Sequence, residues 1–299
     1  MRWIRIVIAT VLLALNTLVH GVPLILLALV KILIPVPAVR RGLTRVLTAL
    51  AESWIGFNNW MIDTLSGSKL TIRGDVPEAP NGQFLVLANH QSWVDIPVLQ
   101  RVFNRRIPLL RFFLKSQLIR VPVLGLAWWS LDFPFMKRYS KEQVARRPDL
   151  AGRDLQATRK ACRKFRDLPV SVMNFVEGTR FEPAKHAKQG APHDHLLKPR
   201  SGGIAFVLDA MKGAIDTLVD VTVVYPRGGG ELGALMAGEI PEIVVDVRSF
   251  PVPDELLAGT YQDDPEFRRR FQDWLNELWT EKDRRIAAIL EEFDLSGPT

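Results

Sequence analysis

Residues 84–95 hold the pair of side chains whose types and spacing are best suited to chemistry. The apolar run Phe84-Leu-Val-Leu-Ala88 ends at Asn89-His90, and a carboxylate follows at Asp95. A continuous apolar run of this length is typical of a strand that is covered on both faces of a parallel sheet. Open α/β sheets place their chemistry at the carboxyl ends of such strands. His90 is therefore a candidate general base.

His90 and Asp95 act together only if the chain turns back between them, because five residues of a continuous helix rotate through well over a right angle. A helix that begins near Trp93 would let Asp95 accept a hydrogen bond from one imidazole nitrogen. The other nitrogen would then be free to take a proton from a hydroxyl. The same spacing fits a histidine that caps a helix with an aspartate in its first turn, which carries no chemistry. The spacing alone leaves both interpretations open.

A second predicted strand, 169–176, also ends in polar residues: Glu177, Gly178, Thr179 and Arg180. Gly178 lets a ligand approach the backbone, Thr179 offers a hydroxyl, and Arg180 offers a planar group suited to phosphate. Glu177 would orient a substrate hydroxyl or brace the arginine. The alternative is a strand-end turn that is closed by a Glu–Arg pair.

Two further cationic pairs are candidates for binding an anion. Lys137 and Arg138 end the aromatic run that begins at Asp132, although a solvated loop is the alternative for them. Lys198 and Arg200 stand just before Ser201-Gly-Gly203, where a helix is predicted to begin, and the N-terminus of a helix attracts anions.

No metal site is predicted. His186, His193 and His195 lie with Asp194 in a long polar loop. Their spacing matches neither a strand nor a helix that would hold metal ligands, so exposed loop residues are the favoured interpretation.

The composition points to an anionic partner and to membrane contact. The 299 residues carry a formal net charge of +7, and 47% of them are hydrophobic. Phospholipid headgroups or a phosphorylated substrate fit this charge. Nucleic acid is not expected as a partner, because no zinc-ligand spacing, helix-turn-helix pattern or RNA-binding motif is found. The one cysteine, Cys162, is predicted to be buried in an amphipathic helix, and a single cysteine fits a reducing compartment.

The apolar excess is concentrated at the N-terminus, where residues 6–30 carry no formal charge. This segment is long enough to cross a hydrocarbon core of roughly 30 Å as one helix. His20-Gly-Val-Pro23 is expected to interrupt it into apolar pieces at 6–19 and 24–34. A helical hairpin that dips into the membrane and a single kinked span both fit, whereas a cleaved signal peptide fits less well because no small-x-small site follows.

Downstream of residue 65 the pattern is that of an α/β fold with a mostly parallel central sheet flanked by helices. We predict three regions: a membrane-associated helical region at 1–65, an α/β domain at 66–250, and an amphipathic helix within 251–299. The predicted strands are 70–74 at an edge, 84–88 at the centre, 109–114, 169–176, 217–225 and 242–248, and the predicted helices are 93–103, 149–167 and 265–293.

Four blocks in this order resemble those of the glycerolipid acyltransferases, specifically the 1-acylglycerol-3-phosphate (lysophosphatidate) acyltransferase family. The blocks are Asn89–Asp95, Phe133–Arg138, Phe175–Arg180 and Val221–Pro226. The resemblance covers about residues 70 to 230, and its first and third blocks are complete. The fourth departs from the pattern, since Tyr225-Pro226 stands where many members have Val-Pro or Ile-Pro.

The resemblance implies a glycerolipid acyltransferase fold and transfer of a fatty acyl group to the sn-2 hydroxyl of lysophosphatidate. The acyl donor would be acyl-CoA or acyl carrier protein, with no bound cofactor. By this resemblance His90 is the general base that Asp95 orients. The glycerol phosphate is bound by Arg138 and the third block (Glu177, Gly178 and Arg180), and Lys137 assists.

The resemblance also implies a place in the cell and leaves other functions open. The expected site of action is the bacterial inner membrane, with the catalytic domain facing the cytoplasm. The alternatives are an acyltransferase with another lysophospholipid acceptor and a membrane-anchored lipid-binding protein without catalysis. A hydrolase is disfavoured, because Gly-x-Ser-x-Gly is absent.

Overall fold

The computed structural model of the chain describes residues 2–136, 146–147, 162, 165 and 168–295. Its strands are β1 (Lys69–Gly74), β2 (Gln83–Ala88), β3 (Leu110–Phe112), β4 (Leu114–Lys115), β5 (Phe135–Met136), β6 (Val170–Phe175), β7 (Thr217–Val224) and β8 (Glu242–Pro251). Its α-helices are α1 (Arg2–Leu33), α2 (Pro37–Leu65), α3 (Asp95–Phe103), α4 (Leu124–Ser130), α5 (Pro183–Gln189), α6 (Ser201–Ala210), α7 (Leu232–Ala237) and α8 (Pro265–Leu295). Short 3-10 turns cover Ser116–Arg120 and Asp254–Leu256.

The main sheet has six strands in the order β1-β8-β7-β2-β6-β3. Its neighbouring strands are parallel except β7 and β8, which are antiparallel. This confirms the predicted mostly parallel α/β sheet, with β1 at an edge and β2 inside. Ala88, the last residue of β2, pairs with Phe175 of β6 and Val221 of β7. The residues after β2 and β6 therefore come out side by side.

Strand β2 is apolar from Phe84 to Ala88 because both of its faces are covered. Phe84, Val86 and Ala88 belong to the core beneath α1, α2 and α3. Leu85 and Leu87 belong to the core on the opposite face, beneath α6 and α8. Since side chains alternate along a strand, neither face can be polar without loss of core.

The N-terminal helices form a hairpin, but its turn is not where the sequence indicated. Helix α1 continues through Pro23 to Leu33, and α2 begins at Pro37. The predicted interruption at residues 20–23 is therefore wrong. Proline removes one hydrogen bond from a helix, and polar contacts with α2 hold α1 together around this point. They are Asn16 Nδ2 to Asn58 Oδ1 at 2.8 Å and His20 Nε2 to Ser53 Oγ at 3.1 Å.

Among the described residues, α1 is the one helix long and apolar enough to cross a membrane. Its outer face is exposed and apolar along most of its length, from Trp3 to Leu33. Helix α2 has two tryptophans in this region, of which Trp60 is 54% exposed. Trp54 instead packs against the core and donates its Nε1 hydrogen to Thr17.

Other predicted boundaries shift by a few residues. Helix α3 begins at Asp95, and the segment predicted as a strand at 109–114 is divided between β3 and β4. Most of the helix predicted at 149–167 lies outside the described residues. Cys162 lies within it and is buried as predicted, and burial raises the pKa of its thiol to about 12. Helix α8 packs its apolar stripe, which includes Phe271 and Trp279, into the core.

Candidate active site

Asp95 is the buried centre of the site. It is 0% exposed at the first turn of α3. Its Oδ2 accepts hydrogen bonds from Nδ1 of His90 at 2.8 Å, from the backbone N–H of Gln91 at 2.7 Å and from that of Ser92 at 2.9 Å. The chain turns back over residues 89–94, as the hypothesis of a His–Asp pair required. Three hydrogen bonds therefore converge on one carboxylate oxygen and fix its position.

His90 lies between this carboxylate and the surface. Its ring stacks on Phe175 of β6, with centroids 3.9 Å apart, and its side chain is 14% exposed. Because Nδ1 donates its hydrogen to a carboxylate, Nε2 of the neutral ring carries the lone pair. Among the described residues, Nε2 makes no hydrogen bond. The pair thus presents one oriented basic nitrogen to the outside.

The loop that carries His90 is tied to the neighbouring strand β7. The side-chain amide of Asn89 donates to the carbonyl of Val223 at 2.9 Å and accepts from its N–H at 2.8 Å. The hydroxyl of Ser92 donates to the carbonyl of Gly230 at 2.6 Å. These bonds replace the strand pairing that ends at Ala88, so the imidazole is held by fixed backbone.

Glu177 braces the backbone of the site and does not brace Arg180. One carboxylate oxygen accepts the N–H of His90 at 3.0 Å, and the other accepts the N–H of Leu197 at 3.1 Å. The residue is 1% exposed. Burial, with a smaller contribution from Asp95, raises its pKa to about 8 against the opposing effect of the two amides. With each oxygen bonded to a backbone N–H, Glu177 positions the loops of the site, and its contact with a substrate hydroxyl stays a prediction.

Arg180 lies over the ring of Trp93, with its guanidinium carbon 4.9 Å from the ring centroid. It also pairs with Glu231 at 3.2 Å, which replaces the predicted Glu177–Arg180 pair. The N–H of Phe181 donates to the carbonyl of His90 at 2.7 Å, so the arginine is one residue from direct contact with the histidine loop. A guanidinium that is a third exposed and stacked on an indole is placed to bind an anion beside His90.

The other residues of the third block surround this arginine. Gly178 has φ +71°, in the region that favours glycine, and a Cβ there would lie 3.4 Å from Cδ of Arg200. The hydroxyl of Thr179 accepts a hydrogen bond from Nζ of Lys185 at 2.9 Å. Lys185 was not predicted, because a lysine in a polar helix such as α5 has no distinguishing signal.

The two later cations lie on an exposed turn. The N–H of Arg200 donates to the carbonyl of Val176 at 3.0 Å, which ties this turn to the end of β6. Lys198 is exposed, and its N–H donates to Gln189. The structure therefore brings Arg200 to Gly178, whereas the anion site predicted before α6 stays a prediction. Lys137 and Arg138 lie outside the described residues.

The loop histidines form no metal site among the described residues. Nε2 of His186 bonds the carbonyl of His193 at 2.5 Å. Burial, and secondarily His186, lowers the pKa of His193 against the opposing effect of Asp283. The hydrogen bond between His186 and His193 therefore connects α5 to the loop that follows it.

Tyr225 is a site residue that the sequence did not reveal. Its hydroxyl donates to Oδ1 of Asp95 at 2.6 Å. At the end of an apolar strand it has the pattern of a core residue. The one available signal was its hydroxyl, because a buried tyrosine hydroxyl usually has a hydrogen-bond partner.

Comparison with known proteins finds acyltransferases that are similar to this chain. The family model described as Acyltransferase matches residues 69–226, more than half of the chain. Lysocardiolipin acyltransferase 1 of Danio rerio is 26% identical over 256 residues, which cover 81% of this chain and 61% of that protein. The 2-acyl-1-lysophosphatidylinositol acyltransferase of Saccharomyces cerevisiae is 26% identical over 258 residues, covering 71% and 62%.

Two further similarities concern proteins that act on lysophosphatidate by name. The Homo sapiens 1-acyl-sn-glycerol-3-phosphate acyltransferase gamma is 29% identical over 196 residues, covering 61% of this chain and 45% of that protein. The crystal structure of the 1-acyl-sn-glycerophosphate acyltransferase PlsC from Thermotoga maritima matches with a TM-score of 0.52 at 14% identity, covering 100% and 99%. This last similarity concerns the fold alone. The chain spans about three fifths or less of the curated relatives it matches.

Proposed function

The chain belongs to the acyltransferase family, and from that membership we propose that it transfers a fatty acyl group to the sn-2 hydroxyl of 1-acyl-sn-glycerol 3-phosphate. The donor is acyl-CoA or acyl carrier protein, and the product is phosphatidic acid. The observation that carries this proposal is the His90–Asp95 pair, whose loop is hydrogen-bonded to Phe181, the residue that follows Arg180. An acceptor with a hydroxyl and a phosphate needs a base and a cation in one place.

His90 acts first as a base and then as an acid. Its Nε2 takes the proton of the acceptor hydroxyl while the hydroxyl oxygen attacks the thioester carbonyl carbon. The carbon–sulfur bond then breaks, and the imidazolium gives its proton to the departing thiolate. Asp95 holds the ring and stabilises its positive charge between the two transfers. No acyl-enzyme is required, because the thioester is already activated.

The acceptor phosphate is bound by cations around the third block. Arg180 offers a planar pair of donors beside His90, and Arg200 lies across Gly178 from it. Lys198 lies two residues from Arg200 on the same exposed turn. We propose Lys137 and Arg138 as further phosphate contacts. Thr179 and Lys185 are joined by a hydrogen bond and support this shell.

The membrane supplies the acceptor and retains the product, because both are lipids. The apolar outer face of α1 enters the bilayer, and the exposed Arg40, Arg41 and Arg45 of α2 lie at the level of anionic headgroups. In a bacterium this membrane is the inner one, with the catalytic domain facing the cytoplasm. The acyl chain of the acceptor then reaches the site from the bilayer while the donor's carrier stays in water.

A second acceptor class has specific support. Two of the relatives are named for lysocardiolipin and for lysophosphatidylinositol, so another lysophospholipid is the competing acceptor. The phosphate shell is partly exposed and leaves room for a larger headgroup, since Arg180 is a third exposed and Lys198 is fully on the surface.

The test is thiol release by the purified chain with one acyl-CoA and a panel of acceptors. We expect fast release with lysophosphatidate, slower release with lysophosphatidylinositol and lysocardiolipin, and almost none without acceptor. A preference for another acceptor would overturn the assignment of lysophosphatidate but not acyl transfer. Equal release without acceptor would indicate a hydrolase, and no release at all would favour a lipid-binding protein.

A further inference from the structure

Tyr225 is held rigidly at the end of β7 on the face that carries α3. Side chains alternate along β7, so Val219, Val221 and Val223 point into the same core as β2 residues Val86 and Ala88. Tyr225 continues that series and is 5% exposed. The N–H of Gly228 closes a turn on the carbonyl of Tyr225 at 3.0 Å, and Gly229 lies against the ring. The ring therefore has little freedom to rotate.

The two carboxylate oxygens of Asp95 accept hydrogen bonds from different groups. Oδ2 is occupied by Nδ1 of His90 and by the N–H groups of Gln91 and Ser92. Among the described residues, the Tyr225 hydroxyl at 2.6 Å is the donor to Oδ1. This length is typical of a strong O–H···O⁻ bond. The contact joins residues 130 positions apart, so it ties the first block to the fourth.

We propose that Tyr225 is a positioning residue that acts through Asp95 on His90, and this inference rests on the proposed role of His90 as the base. It holds Asp95 in the orientation that presents Oδ2 to the imidazole. Its hydroxyl also draws the negative charge of the carboxylate toward Oδ1. Asp95 then binds the imidazolium less tightly, and the imidazolium can return its proton.

The groups that face Asp95 support this assignment. His90 faces it from the loop after β2, Tyr225 from β7, and Glu177, beyond β6, acts on the same region electrostatically. Burial, with the Asp95 charge, raises the pKa of Tyr225 well above its ordinary value. The phenol therefore stays protonated and remains a donor throughout the range in which the imidazole titrates.

The experiment is Tyr225→Phe, which removes one oxygen and keeps the ring. We expect kcat to fall about tenfold, because the hydrogen bond that is lost orients the base through a charged carboxylate. The acceptor KM should change little, because Tyr225 does not bind the acceptor. Without the phenol, Asp95 attracts the imidazolium more strongly, so the acid limb of the kcat/KM profile moves to higher pH. An unchanged kcat together with an unchanged acid limb would overturn the proposal.

Two variants separate this role from a purely structural one. Tyr261→Phe is the matched control, because the Tyr261 hydroxyl forms a hydrogen bond of 2.7 Å with Oγ of Ser201 and none with Asp95 or His90. This variant should leave the acid limb in place. Site-specific 3-fluorotyrosine at position 225 strengthens the donor without loss of packing, so it should move the limb to lower pH. In an Asp95→Asn background, Tyr225→Phe should have almost no further effect on kcat, and full additivity would contradict the proposal.

A measurement that needs no turnover distinguishes failure of this inference from failure of the proposed function. The proton on Nδ1 of His90 is observed by NMR in the wild-type chain and in Tyr225→Phe. We expect its resonance to move when the phenol is removed, whether or not the preparation transfers acyl groups. An unmoved resonance would overturn the coupling even in an active enzyme.

Discussion

Asp95 and Asp220 are both fully buried carboxylates, yet their surroundings give them opposite roles. Asp95 is surrounded by backbone amides, a phenol and an imidazole. Asp220, on the face of β7 that carries α8, is surrounded by cations. Lys282 approaches it at 2.6 Å, Arg248 at 3.4 Å, and Arg285 is in direct contact.

The difference lies in what each partner can do with a proton. Although burial would raise the pKa of Asp220, Lys282 and Arg285 outweigh it and hold that pKa below its ordinary value. The Asp220 carboxylate therefore stays charged. Burial lowers the pKa of Lys282 to about 8, but its fully buried ammonium is enclosed, because it contacts Asp220 and donates to the carbonyl of Val221, each at 2.6 Å. The Asp95 pair ends in an imidazole whose other nitrogen is open. In the proposed mechanism a buried carboxylate supports catalysis only where its partner, like His90, has a second nitrogen open to the substrate.

The largest predicted effect comes from His90→Ala. We expect acyl transfer to fall by roughly two to four orders of magnitude, the usual contribution of a general base. Thermal unfolding and vesicle binding should stay close to wild type, because His90 lies at the edge of the core. His195→Ala is the control, since it removes an imidazole from the loop before α6. Near-normal transfer by purified His90→Ala would contradict the proposed role of His90 as the base, and with it the proposed functional difference between Asp95 and Asp220.

Lys282→Met should show the reverse pattern. The change removes the closest lysine partner of the buried Asp220 and leaves the carbonyl of Val221 without its ammonium donor, so we expect the free energy of unfolding to fall by about 3 kcal/mol. The kcat of the folded fraction should change little, because Lys282 lies on the buried face of α8 and does not contact His90. Denaturant unfolding and activity are measured on the same preparation. Arg269→Met, on the exposed face of α8, should stay within about 0.5 kcal/mol of wild type.

The sequence predicted the parts of the site that depend on short-range geometry. The apolar runs that end at Ala88 and Val176 predicted two strands with polar residues at their ends, and one of the two interpretations of His90 and Asp95 included their hydrogen bond. These predictions succeeded because the hydrophobic pattern and a single reverse turn determine both features.

What the sequence did not predict depends on distant partners. Tyr225 and Asp95 are 130 residues apart in the sequence, and Lys282 is also far from Asp220 along the chain. Neither contact therefore produces a pattern that short stretches of sequence could reveal. The expected break at Pro23 failed for the same reason. Contacts with α2 stabilise α1 across the proline, and these contacts follow from packing and not from propensity.

The pKa of Glu177 is affected by charges from both clusters, the one around Asp95 and the one around Asp220. Asp95 raises its pKa and Lys282 lowers it, while burial is the largest effect and brings it to about 8 from an ordinary value of 4.5. Between these values the folded state binds a proton that the unfolded state releases. Glu177 therefore contributes stability that is fully present at low pH and is lost as the pH rises through about 8.

Glu177→Gln removes that titration, so the unfolding temperature of the wild type should fall relative to the variant between about pH 5 and about pH 9. The variant should also be less stable at low pH, because the glutamine NH2 group is a donor and would face one of the two backbone N–H groups that the carboxyl oxygens bond. Unfolding temperatures are measured for both proteins across this range. Parallel curves would show that Glu177 does not titrate there and that its amide partners, not burial, control its charge.

The smallest predicted effect belongs to the exposed cation shell. Arg180→Gln removes the guanidinium over Trp93 but leaves His90 and Asp95 intact, so we expect the acceptor KM to rise roughly tenfold while kcat changes little. Arg269→Gln removes the same charge from α8 and should change neither constant. A fall in kcat as large as that of His90→Ala would mean that Arg180 acts on the transition state. The division between a proton-transfer centre around Asp95 and a binding shell at the surface would then have to be abandoned.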